Sequence, residues 1–265
     1  MTGPSGSAAA RSPWLRAPAT ASGAPVRLVC FPHAGGAASF FRNWPGLIGP
    51  AAEVYAVRYP GREDRIAEPL ARTMEELTEP LADALAPLLD RPVVFFGHSM
   101  GASVAYETAL RLADRGTGTP AALLVSGRAA PHRLVRNGLA DQDDDALVAD
   151  VRRRGGPLAE ALDHPDLLDL VLPAIRSDYA LLDDYAPKAR PRTLDIPVTA
   201  YYGTHDEHVA PDAVHAWSEI SPDRFTARGF DGGHFYLVPH ATALTEDVAA
   251  RLTAVTPRPH QERTR

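Results

Sequence analysis

Residues 93–101 read Val-Val-Phe-Phe-Gly-His-Ser-Met-Gly, and the fold assignment turns on them. Four consecutive apolar residues, Val93–Phe96, suit a strand buried on both faces of a parallel sheet. Gly97-His98-Ser99-Met100-Gly101 follows at once. A helical pattern begins directly after it, with Ala105, Ala109 and Leu112 on one side and Gly116 as a C-terminal stop. A serine on so tight a strand-to-helix turn takes a strained backbone, and side chains two residues to either side would collide with it. Glycines at 97 and 101 relieve that crowding, and the turn lifts the hydroxyl above the sheet. The helix start also turns backbone N–H groups and a positive dipole end toward the serine. A lone G-x-S-x-G match arises often by chance; between a strand and a helix it marks Ser99 as a candidate nucleophile.

Outward from this turn the same rhythm repeats. Val26–Phe31, Val54–Val57, Ala122–Val125 and Val198–Tyr202 are short apolar runs of the same kind, separated by longer periodic segments. Thr73–Leu89 places Leu77, Leu81, Leu85 and Leu88 on one stripe, with Pro80 and Pro87 predicting a kink or a broken second half. Strands alternating with helices predict an α/β fold with a mostly parallel, doubly covered sheet. The domain is expected over residues 25–255, with residues 1–24 and 256–265 as disordered tails that lack apolar payload. Residues 137–185 break the rhythm: no strand candidate, an acidic opening at Asp141–Asp145, a basic run at Arg152–Arg154 and an apolar helical stretch around Leu167–Leu172. They read either as an extra helical layer or as a helical lid inserted over the sheet's carboxyl edge, where ligands bind in open α/β folds.

Composition narrows the classes. The 265 residues suffice for one large α/β domain. With 33 acidic against 27 basic side chains the net charge is −6, so the basic footprint of a nucleic-acid binder is missing. Cys30 stands alone, which excludes an internal disulfide and multi-cysteine zinc sites. No run approaches 18 apolar residues and the first 24 lack an apolar signal core. A soluble, cytoplasmic, single-domain monomer without cofactor or metal is the expectation.

A serine hydroxyl needs a base to take its proton and a carboxylate to orient that base. After a turn of this kind the partners follow in the order acid, then histidine. Val198–Tyr202 runs into Gly203-Thr204-His205-Asp206, which places Asp206 just past a strand's carboxyl end. His234 stands in the Gly-rich stretch Phe230-Asp231-Gly232-Gly233-His234 before the last helix. Ser99, Asp206 and His234 are therefore the expected triad. Asp231 is a rival acid, and His205, Asp206 and His208 form an alternative metal cluster. For an oxyanion, one donor would be the N–H of Met100 after the nucleophile. The other would come from Pro32-His33-Ala34-Gly35-Gly36 after the first strand, with Ala34 the natural candidate.

Several further segments carry a resemblance: Phe31–Gly36, Tyr59-Pro60-Gly61-Arg62-Glu63-Asp64-Arg65, Ser126-Gly127-Arg128-Ala129-Ala130-Pro131, Leu172-Pro173 through Arg176-Ser177-Asp178-Tyr179, and Gly232-Gly233-His234-Phe235-Tyr236. With the serine turn they make the chain, over roughly residues 25–255, resemble the stand-alone type II thioesterases of polyketide and non-ribosomal peptide synthases, which are α/β-hydrolases. The resemblance implies hydrolysis of stalled or mis-primed acyl groups from the phosphopantetheine arm of an acyl or peptidyl carrier protein. It implies Ser99, Asp206 and His234 as triad, the Ala34 and Met100 amides as oxyanion hole, and residues 137–185 as lid. An esterase or lipase of the same fold is the alternative enzyme, and a binding module on a hydrolase scaffold the non-enzymatic one. Arg62 and Arg128 are left open between buried structural groups and substrate contacts. The arginines at 128, 133, 136 and 152–154 either meet an acidic carrier or form a solvated face.

Overall fold

All five apolar runs form strands, because each is flanked by glycine, proline or polar loops and has no polar face to leave in water. The computed structural model describes residues 12–18, 23–162, 165–185 and 190–256. Its sheet comprises β1 (Leu15–Arg16), β2 (Arg27–Phe31), β3 (Glu53–Val57), β4 (Val93–His98), β5 (Ala122–Ser126), β6 (Val198–Gly203) and β7 (Phe225–Phe230). They lie in the order β1-β3-β2-β4-β5-β6-β7, all parallel except β1, which runs antiparallel to β3.

Alternation along the strands feeds two cores. Val29, Phe31, Phe95, Leu123 and Val125 point to the face covered by α2 (Met74–Leu85, after the short α1 at Trp44–Ile48) and α3 (Met100–Asp114). Leu28, Cys30, Val94, Phe96 and Leu124 point to the other face, where Trp44 and Ile48 of α1 pack with the chain's final helix. Between β5 and β6 the chain inserts α4 (Asp144–Arg154), α5 (Pro157–Ala161) and α6 (Pro165–Asp184). After β6 come α7 (Pro211–His215) and α8 (Ala241–Ala254), the final helix just mentioned.

The insertion has a small core of its own, Leu147, Val151, Leu162, Ile175 and Tyr179, and Ala34 of the loop after β2 packs against it. Its charge runs belong to α4. Asp143 caps the helix by accepting from the Ala146 N–H, Asp144 and Asp145 fill the first turn, and Arg152–Arg154 fill the last, each complementing the helix dipole. Among the described residues no helix is long and apolar enough to cross a membrane.

The tail expectation needs correction, one strand was not foreseen, and the expected broken second half of the Thr73–Leu89 segment is present. Within the proposed N-terminal tail, Leu15 and Arg16 form β1 and Leu15 is buried, so residues 12–18 are not a tail; residues 1–11, 19–22 and 257–265 lie outside the described residues. Strand β7 was not expected, since its sequence Phe-Thr-Ala-Arg-Gly-Phe alternates in exposure as an edge strand does. The helical break falls at Pro87, where a 3-10 turn takes over at Ala86–Leu88, while Pro80 is accommodated inside α2 on a half-buried side.

Candidate active site

The parallel strands bring their carboxyl ends, and the loops that follow, to one edge of the sheet. Ser99 stands between β4 and α3 with φ 53° and ψ −118°, a positive φ shared among described non-glycine residues only by Glu63. Gly101 explains how the turn is possible: a Cβ there would sit 2.0 Å from the Phe31 carbonyl oxygen. Any side chain at 101 would push the start of α3 away from the end of β2. The close approach sets the Met100 amide beside the loop that begins at Pro32.

His234 comes from the loop between β7 and α8, and Asp206 from the loop after β6. Two backbone hydrogen bonds dock these loops, Thr204 N–H to the Phe230 carbonyl at 2.8 Å and His205 N–H to that of Gly232 at 2.9 Å. The result is a buried relay. His234 Nε2 lies 3.0 Å from Ser99 Oγ, and His234 Nδ1 lies 2.7 Å from Asp206 Oδ2. Asp206 Oδ1 accepts the His208 N–H at 2.9 Å. Burial alone would raise the Asp206 carboxyl, but the hydrogen bond and charge of His234 and the His208 amide outweigh it and hold it below the usual range.

Asp231, the rival acid, has a side chain 82% exposed and pairs with His205 Nδ1 at 3.2 Å, so the structure sets Asp206 against the His234 ring. That pairing draws His205 outward, away from Asp206 and His208. Among the described residues no group of three or more His, Cys, Asp or Glu could hold a metal ion. The Ala34 and Met100 amides make no hydrogen bond to another described residue, which leaves both free to donate to an oxyanion.

Residues that the sequence reading did not place complete the surroundings. Beneath the relay, His98 Nδ1 lies 2.9 Å from Ser126 Oγ, which lies 2.6 Å from the Tyr236 hydroxyl. This buried ladder ties β4, β5 and the His234 loop together. Ser126 and Tyr236 lay inside noted motifs, but only the sheet register makes them neighbours. His33 packs edge-on against Phe40 and Phe235, and burial, with smaller contributions from the neighbouring His234 and Arg62, lowers its imidazole to about 3.

The pocket above the relay is lined by Ala34, Ser99 and His234, by Leu134, Val151, Leu158 and Leu182, and by the polar Arg128, Arg154, Tyr179, Asp183 and Tyr185. Three of the arginines set aside as a surface for an acidic partner, Arg128, Arg136 and Arg154, therefore line this pocket. Arg154 is held by Asp150 at 2.7 Å, whereas among the described residues the side chain of Arg128 bonds only Ser103 Oγ, at 3.0 Å. Arg133 and Arg136 are exposed and lie near Glu219 and Asp141. Arg62 is buried and paired with Asp178.

Residues 26–252 match the thioesterase domain family. The chain is 39% identical over 239 residues to the "Probable cadicidin biosynthesis thioesterase" of Streptomyces griseus, covering 90% of this chain and 66% of that protein. It is 40% identical over 240 residues to thioesterase PikA5 of Streptomyces venezuelae, covering 90% of this chain and 85% of that one. Among solved structures it superposes on the type II thioesterase BorB from the borrelidin biosynthetic cluster with a TM-score of 0.79 and 37% identity, covering 91% of this chain and 96% of the other. With this mostly parallel sheet, its helices on both faces and the matches over nearly its whole described length, the chain belongs to the thioesterase domain family and has the α/β-hydrolase fold.

Proposed function

We propose that the chain hydrolyses acyl thioesters carried on the phosphopantetheine arm of an acyl or peptidyl carrier protein, removing stalled or mis-primed acyl units from a polyketide or non-ribosomal peptide synthase. The carrying observation is the relay Ser99–His234–Asp206, with spacings of 3.0 and 2.7 Å, at the base of a pocket roofed by the helical insertion. The names of the relatives support the substrate class.

Ser99 Oγ attacks the thioester carbonyl carbon while His234 Nε2 takes its proton. The tetrahedral oxyanion accepts hydrogen bonds from the Ala34 and Met100 N–H groups. The C–S bond then breaks, and the departing pantetheine sulfur receives the proton from His234. Water, deprotonated by the same imidazole, attacks the acyl-serine, releases the acid and returns the proton to Ser99. Asp206 holds Nδ1–H and stabilises the imidazolium, which its ionised, well-bonded carboxylate is suited to do. The insertion α4–α6 acts as the lid over the acyl chain, and its apolar lining from Val151, Leu158 and Leu182 receives that chain.

Hydrolysis of a butanoyl-pantetheine thioester by Ser99→Ala is the test. The variant should lose about 10⁵-fold or more in kcat/KM; a rate near that of the parent would end the proposal. Matched oxygen ester and thioester substrates separate a thioesterase from a general esterase.

A further inference from the structure

The segment Pro60-Gly61-Arg62-Glu63-Asp64-Arg65 takes no part in the relay, yet it is tightly specified. Gly61 and Glu63, on either side of Arg62, both have positive φ, at 76° and 50°. Glu63 holds its conformation by accepting the Ser39 N–H at 3.1 Å, and the Gly61 N–H is tied to the Arg65 carbonyl at 3.0 Å. Strain at a non-glycine residue persists only where its surroundings over-determine it. What the loop delivers is the Arg62 guanidinium, buried and aimed at the loop that carries Ala34.

Arg62 meets Asp178 of α6 in a bidentate pair, Nη1 to Oδ2 at 2.7 Å and Nη2 to Oδ1 at 2.9 Å. The same Oδ2 accepts the Gly35 N–H at 2.7 Å, and Nη1 also donates to the Gly36 carbonyl at 3.2 Å. The peptide after Ala34 is thus fixed from outside the loop by a carboxylate, and the peptide after Gly36 by a guanidinium. The contact continues sterically. A Cβ on Gly35, whose φ is 70°, would lie 2.7 Å from Ile175 of α6 and 2.7 Å from Leu158 of α5. The insertion therefore rests on bare backbone at the residue after Ala34.

We propose that Arg62 and Asp178 are positioning residues that set the donor geometry of the Ala34 amide, so that the oxyanion site is complete only while α6 is seated on the loop. The inference rests on the thioesterase reading above and adds a coupling to it. With Gly35 N–H committed to Asp178, the peptide after Ala34 cannot rotate without breaking a charge-assisted bond, and this steadies the backbone of Ala34, which lines the pocket. Lifting α6 to admit an acyl arm would take Asp178 away and release the loop. Reseating restores the donor, which ties chemistry to a closed chamber.

The test uses the full chain with Asp178→Asn and Arg62→Lys, together with the double variant Arg62→Met/Asp178→Leu, which removes the charges as a pair and so avoids an uncompensated buried ion. For butanoyl-pantetheine hydrolysis each should lose ~10²-fold in kcat, the size of a lost oxyanion donor, with KM unchanged. Affinity for the matching trifluoromethyl ketone, whose tetrahedral adduct needs the oxyanion site, should fall by the same factor. Affinity of Ser99→Ala for the non-reactive thioether analogue should be unaffected by the added substitutions. Full kcat per titrated active site in the folded double variant, or equal losses for ketone and thioether, would overturn the proposal. Failure of the underlying reading looks different, because Ser99→Ala would then still hydrolyse the thioester.

Discussion

Arg62 and Arg128 each bring a guanidinium into the surroundings of one pocket, and the protein treats them in opposite ways. Arg62, on the loop side, has a bidentate carboxylate and two carbonyl acceptors, Gly36 and Pro60. Arg128, on the wall formed after β5, has a single hydroxyl, Ser103, and no carboxylate among the described residues within ion-pair reach; burial and the like charge of Arg154 bring it down to about 10, even with Tyr185 opposing. A buried guanidinium supplied with every partner is part of the scaffold. One left with open N–H groups in a pocket wall is available to whatever enters. Both arginines stand in short, distinctive segments, so only the partners separate their roles.

Breaking the loop side should cost most. Asp178→Ala leaves the Arg62 charge buried and uncompensated, and chemical denaturation should show a loss of about 3–5 kcal/mol. A loss as small as that of Arg128→Gln would erase the contrast between the two sites.

Acid provides the next lever on the loop side, through His33. Its imidazole binds a proton near 6.5 when unfolded but only at about 3 in the folded protein. Between those values the unfolded chain holds more protons, so stability rises with pH and falls on acidification. At pH 5 this one group should cost about 2 kcal/mol relative to pH 8. Buried His98, shifted the same way mainly by burial, adds to the trend. Denaturation curves of His33→Phe, whose ring can keep the edge-on contacts to Phe40 and Phe235, should show a flatter pH dependence; an unchanged slope would move the effect elsewhere.

The wall side should give the smallest effect on stability and the clearest effect on selectivity. Arg128→Gln forfeits one hydrogen bond to Ser103 and should cost less than about 1 kcal/mol. It should also lower, by about tenfold, the rate on an acyl chain ending in a carboxylate relative to a neutral chain of equal length, the worth of one charge-assisted hydrogen bond. Equal ratios in parent and variant would return Arg128 to the scaffold.

How far each region could be read from the sequence follows from where its partners lie. The five central strands announced themselves because burial on both faces leaves a continuous apolar run. The edge strands β1 and β7 did not, one being two residues long and the other half solvated. That Ser99, Asp206 and His234 would come together was legible because each occupies a loop at a strand's carboxyl end, in a fixed chain order, with glycines alongside Ser99 and His234. Arg62 and Asp178 are 116 residues apart and join two loops and a helix without a shared period, so only the fold pairs them. Local charge patterning suggested a solvated face at Arg152–Arg154, whereas Arg154 turns inward to Asp150 because Tyr179 and the small core of the insertion bury that side of α4.

Transfer of the acyl group through Ser99 is measured most directly by peptide mapping by mass spectrometry after reaction with an alkyl p-nitrophenyl phosphonate. One adduct, confined to the peptide that contains Ser99, forming in step with the loss of thioesterase activity and slowed when Asp206 is replaced by Asn, is the predicted result. Full inactivation with the adduct on another residue, or full labelling of Ser99 with hydrolysis intact, would contradict it.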